Sequence, residues 1–282
     1  MAAKPSVFLL VLLLGAAARA QSPDNSPAAP PPDSAKFTRY RVPSFGISGP
    51  LGRDQALSPL RYAGVGMLVH WNSLRIKPHL IKQTVVRVGG AALSNQSNGN
   101  ALSLAQLGFE YNRYYKVKSY RGDRLRLFAG GGGDFFLNLK ALSQNVNNAV
   151  SYDFALSLRA AGLLQYDFRL LKRKFVLTEE LSIPFVGILA RPPFSWVVPY
   201  DAYEEGGNWT NAFRVVSLGN YRRLQNRLSL DWFPSERKRR WARHTFASNW
   251  RLAYEWEFLQ INRPNKVQLV TPALLFGRVM RF

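Results

Sequence analysis

Residues 150–169, VSYDFALSLRAAGLLQYDFR, alternate with a period of two along their whole length. Every second residue from Val150 is apolar or aromatic, apart from one glycine, and most residues between them are polar, including Asp153, Arg159 and Asp167. Successive side chains of a strand point to opposite faces, whereas a helix with about 3.6 residues per turn would mix the two sets. The pattern therefore predicts one long β-strand with an apolar face and a polar face.

Strand length separates two folds that share this alternation. Residues 244–262 repeat the pattern, with Arg251, Glu255 and Glu257 on the polar face. Strands of a soluble β-sandwich usually have about 5–6 residues. Strands as long as these, tilted by about 45°, can cross a bilayer and project beyond it. The sequence therefore predicts an all-β fold, a transmembrane antiparallel up-and-down β-barrel.

Ten strands are predicted, with eight or twelve as alternatives. An even number is expected because both termini of a bacterial barrel lie on the same side of the membrane. An interruption of residues 212–233 around Gly219 could change the count through a bulge or an extra bend. The predicted strands are residues 37–47, 61–76, 79–93, 101–118, 124–139, 150–169, 175–190, 212–233, 243–262 and 267–282.

The connections between these strands alternate between mostly short turns and mostly longer loops, as in transmembrane barrels. If residue 282 lies on the periplasmic side, residues 191–211 form a long external loop. Its aromatic side chains are suited to binding glycan or protein. The predicted external contacts are Trp196, Tyr200, Tyr203 and Trp209.

The last predicted strand, VQLVTPALLFGRVMRF at residues 267–282, ends on an aromatic residue. Counting back in twos gives a mostly apolar face that includes Phe276, Met280 and Phe282 and is interrupted by Arg278. This ending resembles the terminal assembly signal of bacterial outer-membrane β-barrels. The resemblance implies that the barrel-assembly machinery is a partner and that the protein resides in the bacterial outer membrane.

The first 35 residues differ in composition from the rest. Lys4, an apolar run at residues 7–14 and an A-x-A-like end at Ala20 predict a secretory signal peptide over residues 1–20. The proline-rich segment at residues 21–35 predicts a flexible leader, because it lacks the side chains to bury a core. We expect residues 36–282 to form one barrel domain that reaches the outer membrane after export through the periplasm.

The chain carries 38 Lys and Arg against 17 Asp and Glu, a net charge of +21, and it has no cysteine. After export, we expect these basic residues to meet outer-membrane lipid and lipopolysaccharide, and we expect no nucleic acid as a partner. The basic turns at residues 172–174 and 237–240 are predicted on the periplasmic side, either solvated or bound to lipid phosphates or an acidic partner. The lack of cysteine excludes disulfides and thiolate metal sites.

A possible catalytic motif lies at residues 95–99. The sequence NQSNG resembles the H-x-S-N-G motif of outer-membrane phospholipases and a related motif of lipid A deacylases. Asn95 replaces the histidine, and an amide has no useful basicity for activating Ser97. A polar external turn is therefore predicted.

Metal and phosphate sites are not indicated by the remaining motifs. The histidines His70, His79 and His244 have no metal-ligand spacing, so no metal or other cofactor is predicted, and His70 is expected to face the lumen. Four glycines at residues 130–133 lack the Lys and Ser or Thr of a phosphate-binding loop. They predict a bend, a bulge or a close approach within the barrel wall.

Charged residues of both signs are predicted on the inward face of the barrel. In a lumen about as wide as its side chains, unpaired charges are costly, so we expect these residues to neutralise one another as a plug. A selective pore or a buried catalytic pair is the alternative. The predicted polar network of the lumen is Asp153, Arg159, Asp167, Arg251, Glu255 and Glu257, and further inward charges are Glu110, Arg124, Arg126, Asp134, Arg169 and Glu180.

Loose motifs across the barrel domain resemble uncharacterised outer-membrane barrel proteins from Bacteroidetes. They are LSPLRYAG at residues 57–64, the loop containing Pro199 and Tyr200, SLGNY at residues 217–221 and NRLSLD at residues 226–231. The resemblance implies an outer-membrane barrel and no known reaction.

Two functions follow as hypotheses. The favoured one is a non-enzymatic barrel acting as a narrow pore, a structural element or a component of an envelope complex with a protein or glycan partner. The alternative is a lipid-modifying barrel enzyme, phospholipase- or deacylase-like. That enzyme would need a serine within hydrogen-bond reach of His70, together with a carboxylate.

Overall fold

The computed structural model describes residues 37–143, 150–171, 173–191, 213–233, 239–241, 244–246 and 249–282. No helix in these ranges is long and apolar enough to cross a membrane. Several predictions concern residues outside these ranges: the signal peptide and leader, and the external contacts Trp196, Tyr200, Tyr203 and Trp209.

Fourteen β-strands follow one another along the described chain. They are β1 (Thr38–Ser48), β2 (Leu51–Asp54), β3 (Ser58–Lys77), β4 (Leu80–Ser94), β5 (Ala101–Tyr120), β6 (Leu125–Leu142), β7 (Val150–Leu170), β8 (Arg173–Ala190), β9 (Phe213–Ser217), β10 (Tyr221–Phe233), β11 (Arg239–Trp241), β12 (His244–Phe246), β13 (Asn249–Ile261) and β14 (Val267–Arg281). The longest, β7, has 21 residues and contains the alternating segment at residues 150–169.

The sheet closes into a barrel because β1 pairs with both β14 and β3. β2 continues β1, since it pairs with the same two strands, and β9 continues β10 along β8. When each interrupted strand is counted once, the barrel has ten antiparallel strands, as predicted. β11 and β12 form a separate two-stranded sheet.

Several details differ from the sequence prediction. The strand expected over residues 243–262 begins at Asn249, because β12 pairs with β11 instead of extending β13. The strand expected over residues 212–233 is interrupted by a turn at residues 218–220. Arg124, predicted to face the lumen, is exposed in the turn at residues 121–124, where Arg121, Gly122 and Asp123 have positive φ angles that end β5.

The two ends of the barrel carry different connections. At the end we call the loop end lie the turn at residues 95–100, residues 262–266 and the strand ends at Leu142, Val150, Ala190 and Phe213. The opposite end, the C-terminal end, carries Phe282 and the turns at residues 78–79 and 121–124.

The outer wall of the barrel is apolar, while its lumen holds buried polar and charged side chains as well as apolar ones. On β3 the outward side chains Val65, Met67 and Val69 are 51% to 70% exposed, whereas the inward His70 and Asn72 are buried. Polar side chains facing inward and apolar side chains facing outward are the pattern of a barrel surrounded by lipid.

The last strand has the two faces that its sequence predicts. Leu274 and Phe276 are exposed on the outer wall, and Leu275 and Val279 are buried on the lumen side. Phe282 lies next to β1, where its backbone N–H donates to Arg39 O at 3.0 Å. The directions of the side chains along β14 therefore agree with the alternation of apolar residues in the sequence of residues 267–282.

The four-glycine run on β6 allows a close approach to β5. A Cβ atom at Gly132 would lie 1.7 Å from Tyr111 O, and one at Gly130 would lie 1.8 Å from Arg113 O. A Cβ atom at Gly133 would have no other atom within 4 Å. Close approach, one of the three explanations offered by the sequence, therefore accounts for Gly130 and Gly132.

Candidate functional site

Inward-facing charges from seven neighbouring barrel strands meet in the middle of the lumen. Each charge occupies a lumen-facing position of its strand, in which every second residue points inward. No strand supplies more than two of these charges. These side chains are only 1% to 8% exposed, so they are largely shielded from bulk water. The set, which we call the central network, consists of Arg87, Arg159, Arg223, Arg227, Glu110, Asp134, Glu180, Glu255 and Glu257.

Arg87 joins three carboxylates of the central network. Its Nη2 lies 2.8 Å from Glu110 Oε1 and 2.9 Å from Glu255 Oε1, and its Nη1 lies 2.5 Å from Glu257 Oε2. Charges buried in this way must be compensated, because transfer from water carries a penalty of several kcal/mol per ion. Arg87 is therefore a principal counter-charge for three carboxylates on two strands, β5 and β13.

Two further arginines extend these contacts around the barrel. Arg223 Nη1 lies 2.7 Å from Asp134 Oδ2, and Arg223 Nη2 lies 3.1 Å from Glu257 Oε2. The Arg223 guanidinium also lies over the Phe136 ring, 4.1 Å from its centroid. Arg227 Nε lies 3.0 Å from Glu255 Oε2. Because Glu255 and Glu257 each contact Arg87 and a second arginine, the network is continuous and not a set of separate pairs.

Neutral polar side chains fill the gaps in the central network. Tyr114 Oη donates to Glu180 Oε1 at 2.6 Å, and Gln83 Nε2 donates to Glu180 Oε2 at 3.0 Å. Gln225 Nε2 donates to Glu257 Oε2 at 2.9 Å and to Glu110 Oε1 at 3.1 Å. These donors add hydrogen bonds to the buried carboxylates, although Glu110 Oε2 and Glu257 Oε1 have no hydrogen-bond partner, and added hydrogen bonds lower the cost of a buried charge network.

A second charged cluster lies in the lumen nearer the loop end. Lys140 Nζ lies 2.6 Å from Asp54 Oδ2 and 2.5 Å from Asp153 Oδ2, and Arg191 contacts both aspartates through its two Nη atoms. Two cations and two anions balance one another here. Asp153 is fully buried, so this loop-end cluster also lies beyond the reach of water.

Apolar side chains fill the lumen at the loop end. Because they come from strands all around the barrel, they form a layer across it. This loop-end apolar layer consists of Leu57, Tyr62, Leu93, Leu102, Leu104, Phe136, Leu142, Ala155, Leu189, Val216, Tyr221, Leu259, Ile261, Val267 and Leu269.

The C-terminal end of the lumen is open and contains a cavity of about 670 Å³, which we call the vestibule. Arg251 holds Asp231 there through two hydrogen bonds, of 2.6 and 2.7 Å. Arg126 Nη2 lies 2.7 Å from Asp167 Oδ1, and both side chains are about a quarter exposed. The vestibule therefore holds one buried ion pair, Arg251–Asp231, and one partly hydrated pair, Arg126–Asp167, and it ends at the central network.

The six residues of the predicted lumen network occupy three different levels. Asp153 belongs to the loop-end cluster, Arg159, Glu255 and Glu257 belong to the central network, and Asp167 and Arg251 line the vestibule.

Sequence reasoning missed other members of these clusters. Arg87 and Arg223 lie in segments predicted as strands, so parity within those strands could have found them. Arg191 was assigned to a loop, and Asp54 lies in a short strand that was not predicted. Neither residue carried a sequence signal for its position.

His70 lies beside the central network without a catalytic partner. Its Nδ1 is 3.6 Å from Glu255 Oε2, while its Nε2 is buried with no hydrogen-bond partner. Ser44 lies opposite His70 in the β1–β3 pairing, yet no serine hydroxyl hydrogen-bonds to His70 in the described ranges. The serine, histidine and carboxylate relay required by the enzyme alternative is not assembled in this part of the chain.

The NQSNG segment forms a polar turn. Asn95 Oδ1 accepts hydrogen bonds from the backbone N–H groups of Ser97 at 2.9 Å and Asn98 at 3.2 Å. Ser97 is exposed at the loop end, while His70 is buried among the lumen side chains. Among the described residues, no group of three or more His, Asp or Glu side chains could hold a metal ion.

These features define a closed antiparallel β-barrel with an ion-paired lumen. The chain belongs to the family described as "Protein of unknown function (DUF3316)", whose family model matches residues 7–266. No curated protein matches it in sequence.

Solved barrel structures resemble the chain at low identity. The translocator domain of the autotransporter NalP from Neisseria meningitidis is 8% identical, with a TM-score of 0.43, and 98% of this chain and 96% of that chain are covered. An outer membrane channel from Pseudomonas putida F1 is 9% identical, with a TM-score of 0.33 and coverage of 92% and 99%. The β domain of the Bordetella autotransporter BrkA is 11% identical, with a TM-score of 0.27 and coverage of 86% and 99%. Likenesses at this level carry no argument about what the chain does.

Proposed function

We propose that this protein is an outer-membrane β-barrel with a closed lumen, acting as a membrane-embedded structural element or a component of an envelope complex. The apolar outer wall supports a membrane location. Apolar side chains such as Phe45, Ile47 and Leu156 are more than half exposed on the outside, while charges lie within. A continuous apolar surface of this kind is unfavourable in water and favourable in lipid.

The proposed orientation follows from the connections. Bacterial barrels place short turns toward the periplasm and longer loops outside, so the C-terminal end faces the periplasm. The predicted external contacts Trp196, Tyr200, Tyr203 and Trp209 belong to the same proposal, as a binding surface for lipopolysaccharide, a glycan or an envelope protein. Export by the signal peptide and insertion by the barrel-assembly machinery, with Phe276, Met280 and Phe282 as the signal, belong to the same proposal.

The proposal of a closed lumen rests on the side chains that fill it. Glu180 and Arg227 form part of the vestibule floor and belong to the central network, so the cavity stops where that network begins. The loop-end apolar layer fills the lumen beyond it. A narrow pore would need a water path through both levels, and their buried side chains argue against one.

Planar-bilayer recording tests this proposal. We expect the refolded full-length barrel to insert without producing a steady current above that of the bare bilayer, because two levels of the lumen are filled. Quenching of outward tryptophans by brominated lipid in the same preparation serves as the insertion control, so that silence is not mistaken for missing protein. A steady ohmic current from inserted protein would refute the closed lumen and favour the narrow pore.

A further inference from the structure

Four basic side chains lie side by side on the outer wall near the C-terminal end. Arg39 on β1 pairs with Arg75 on β3, Arg75 pairs with Lys82 on β4, and Lys82 pairs with Arg113 on β5. All four point outward, because their neighbours Tyr40, Leu74, Ile81 and Gln83 line the vestibule and Tyr114 is buried inside. We call this row the basic ladder.

Like charges placed directly opposite each other across neighbouring strands destabilise a sheet. Side chains in such positions have Cβ atoms about 4.5–5.5 Å apart. In the ranges that the structure describes, none of the four is ion-paired with a carboxylate, and Arg39, Arg75 and Arg113 are exposed. The basic ladder therefore presents a concentrated positive charge that the barrel wall itself does not neutralise.

The few acidic residues outside the lumen are already engaged. Among the described residues, only Asp123 and Glu179 lie on the outer wall or in a turn, and the other acids face inward. Lys116 Nζ lies 2.6 Å from Asp123 Oδ1, and this hydrogen bond lowers the pKa of the Asp123 carboxyl. Glu179 accepts a hydrogen bond from Asn226 at 3.1 Å on another side of the barrel. Within the described ranges, no acidic side chain is therefore left to neutralise the basic ladder.

Neighbouring aromatic groups hold the cations of the ladder at the surface. Arg113 Nε donates to Tyr111 Oη at 2.8 Å. Lys82 Nζ lies 5.2 Å from the centroid of the Phe37 ring. Both contacts keep a charged head beside an amphipathic or apolar group, an arrangement found at membrane interfaces.

Apolar strips continue from the ladder toward the middle of the barrel. On β3 the outward positions after Arg75 include Trp71, Val69 and Met67, all more than 40% exposed. On β5 the outward positions after Arg113 include Phe109 and Leu107, which are 45% and 39% exposed. A ligand lying on this surface would meet cations at one end and apolar side chains along its length.

We propose that the basic ladder is a binding site for an anionic phospholipid, with the phosphate on Arg39, Arg75, Lys82 and Arg113 and the acyl chains along the apolar strips. The inference rests on the membrane location proposed above. Phosphate satisfies the charge of the ladder, and acyl chains match the strips, so a lipid fits both observations where free phosphate fits only one. The ladder lies at the C-terminal end, so the lipid belongs to the leaflet on that side.

Quenching of Trp71 by brominated lipids tests the site, because this tryptophan lies on the outer wall four residues from Arg75. The full-length barrel would be placed in phosphatidylcholine vesicles that contain either brominated phosphatidylglycerol or brominated phosphatidylcholine. The difference in quenching between the native barrel and the Trp71→Phe variant would give the contribution of Trp71. We expect an at least about fivefold preference for phosphatidylglycerol, the size given by one basic residue at an anionic surface. Replacing all four ladder residues with glutamine should reduce the preference to about one, because the charges that attract phosphate are gone.

A matched variant controls for net charge. Replacing Arg61, Arg214, Arg222 and Arg263 with glutamine removes the same charge from the loop end, and it should leave the Trp71 preference unchanged. Equal quenching by both lipids, or an equal loss in the two variants, would overturn the lipid site while leaving the membrane location intact. Absence of quenching by either lipid would instead refute the membrane location. Loss of the preference when inorganic phosphate is added at constant ionic strength would assign the site to free phosphate and overturn the lipid.

Discussion

Replacing Arg87 with methionine should lower the free energy of unfolding by about 3–5 kcal/mol, the usual effect of removing one partner from a buried ion pair. Arg87 contacts Glu110, Glu255 and Glu257 at 2.5 to 2.9 Å, and all four side chains are buried. Methionine occupies a similar volume but supplies no positive charge, so the three carboxylates would face one another with less compensation. Urea unfolding of the refolded barrel in lipid vesicles, followed by tryptophan fluorescence, measures the loss.

Two control variants separate charge compensation from packing. Adding Glu257→Gln to Arg87→Met should restore part of the stability, because it removes one uncompensated carboxylate. Arg126→Met in the open vestibule should cost only about 1–2 kcal/mol, since water can hydrate the remaining Asp167, whose side chain is about a quarter exposed. Equal losses for Arg87→Met and Arg126→Met would show that burial does not determine how much an ion pair of the lumen contributes to the free energy of unfolding.

Replacing Gly132 with alanine should destabilise the barrel by about 3 kcal/mol or more, an overpacking effect at the upper end of the usual range. The new methyl group would lie 1.7 Å from the backbone oxygen of Tyr111, so β5 and β6 would have to separate locally. Gly133→Ala is a control one residue away, where no atom lies within 4 Å. That change should alter the free energy of unfolding by no more than about 1 kcal/mol.

Refolding yield and urea unfolding of both glycine variants measure the difference. The comparison is sharp because the two residues share a strand, a residue type and nearly the same depth in the barrel. Equal stability of Gly132→Ala and Gly133→Ala would contradict the close approach of β5 and β6.

Barrel architecture was predictable because the alternation persists over long segments. A period of two sustained through residues 150–169 allows only a strand, and its length exceeds what a soluble sheet uses. The same parity assigned Glu110, Asp134 and Glu180 to the lumen. The boundaries of β13 were less predictable, because residues 244–246 keep the alternating pattern while pairing with a local strand.

The pairing of charges inside the lumen was not predictable from parity. Arg87 and Glu257 are 170 residues apart and meet only because strand tilt and register bring β4 and β13 to face each other across the lumen. Arg191 was hidden for a different reason, since it follows the end of β8 in a segment without alternation.

The basic ladder likewise depends on register. Arg39, Arg75, Lys82 and Arg113 show no cluster in the sequence, yet direct pairing across four strands places them in one row. A one-residue slip in any of these pairings would turn a member of the row away from its neighbour. The net charge of +21 is therefore unevenly distributed, because the lumen holds most of the described acidic residues while the outer wall displays basic residues.

Cysteine accessibility tests the closed lumen most directly, and the chain has no native cysteine to interfere. Ser157 and Gln165 lie on the same inward face of β7; Ser157 donates to Asp134 of the central network at 3.3 Å, and Gln165 lines the vestibule. In oriented vesicles, we expect a membrane-impermeant thiol reagent to label Gln165→Cys from the periplasmic side only, and Ser157→Cys from neither side. Ser97→Cys, in the exposed turn at the loop end, should react from the external side and so report orientation. Labelling of Ser157→Cys at a rate similar to Gln165→Cys, or labelling of Gln165→Cys from the external side, would contradict a lumen closed by its own charges.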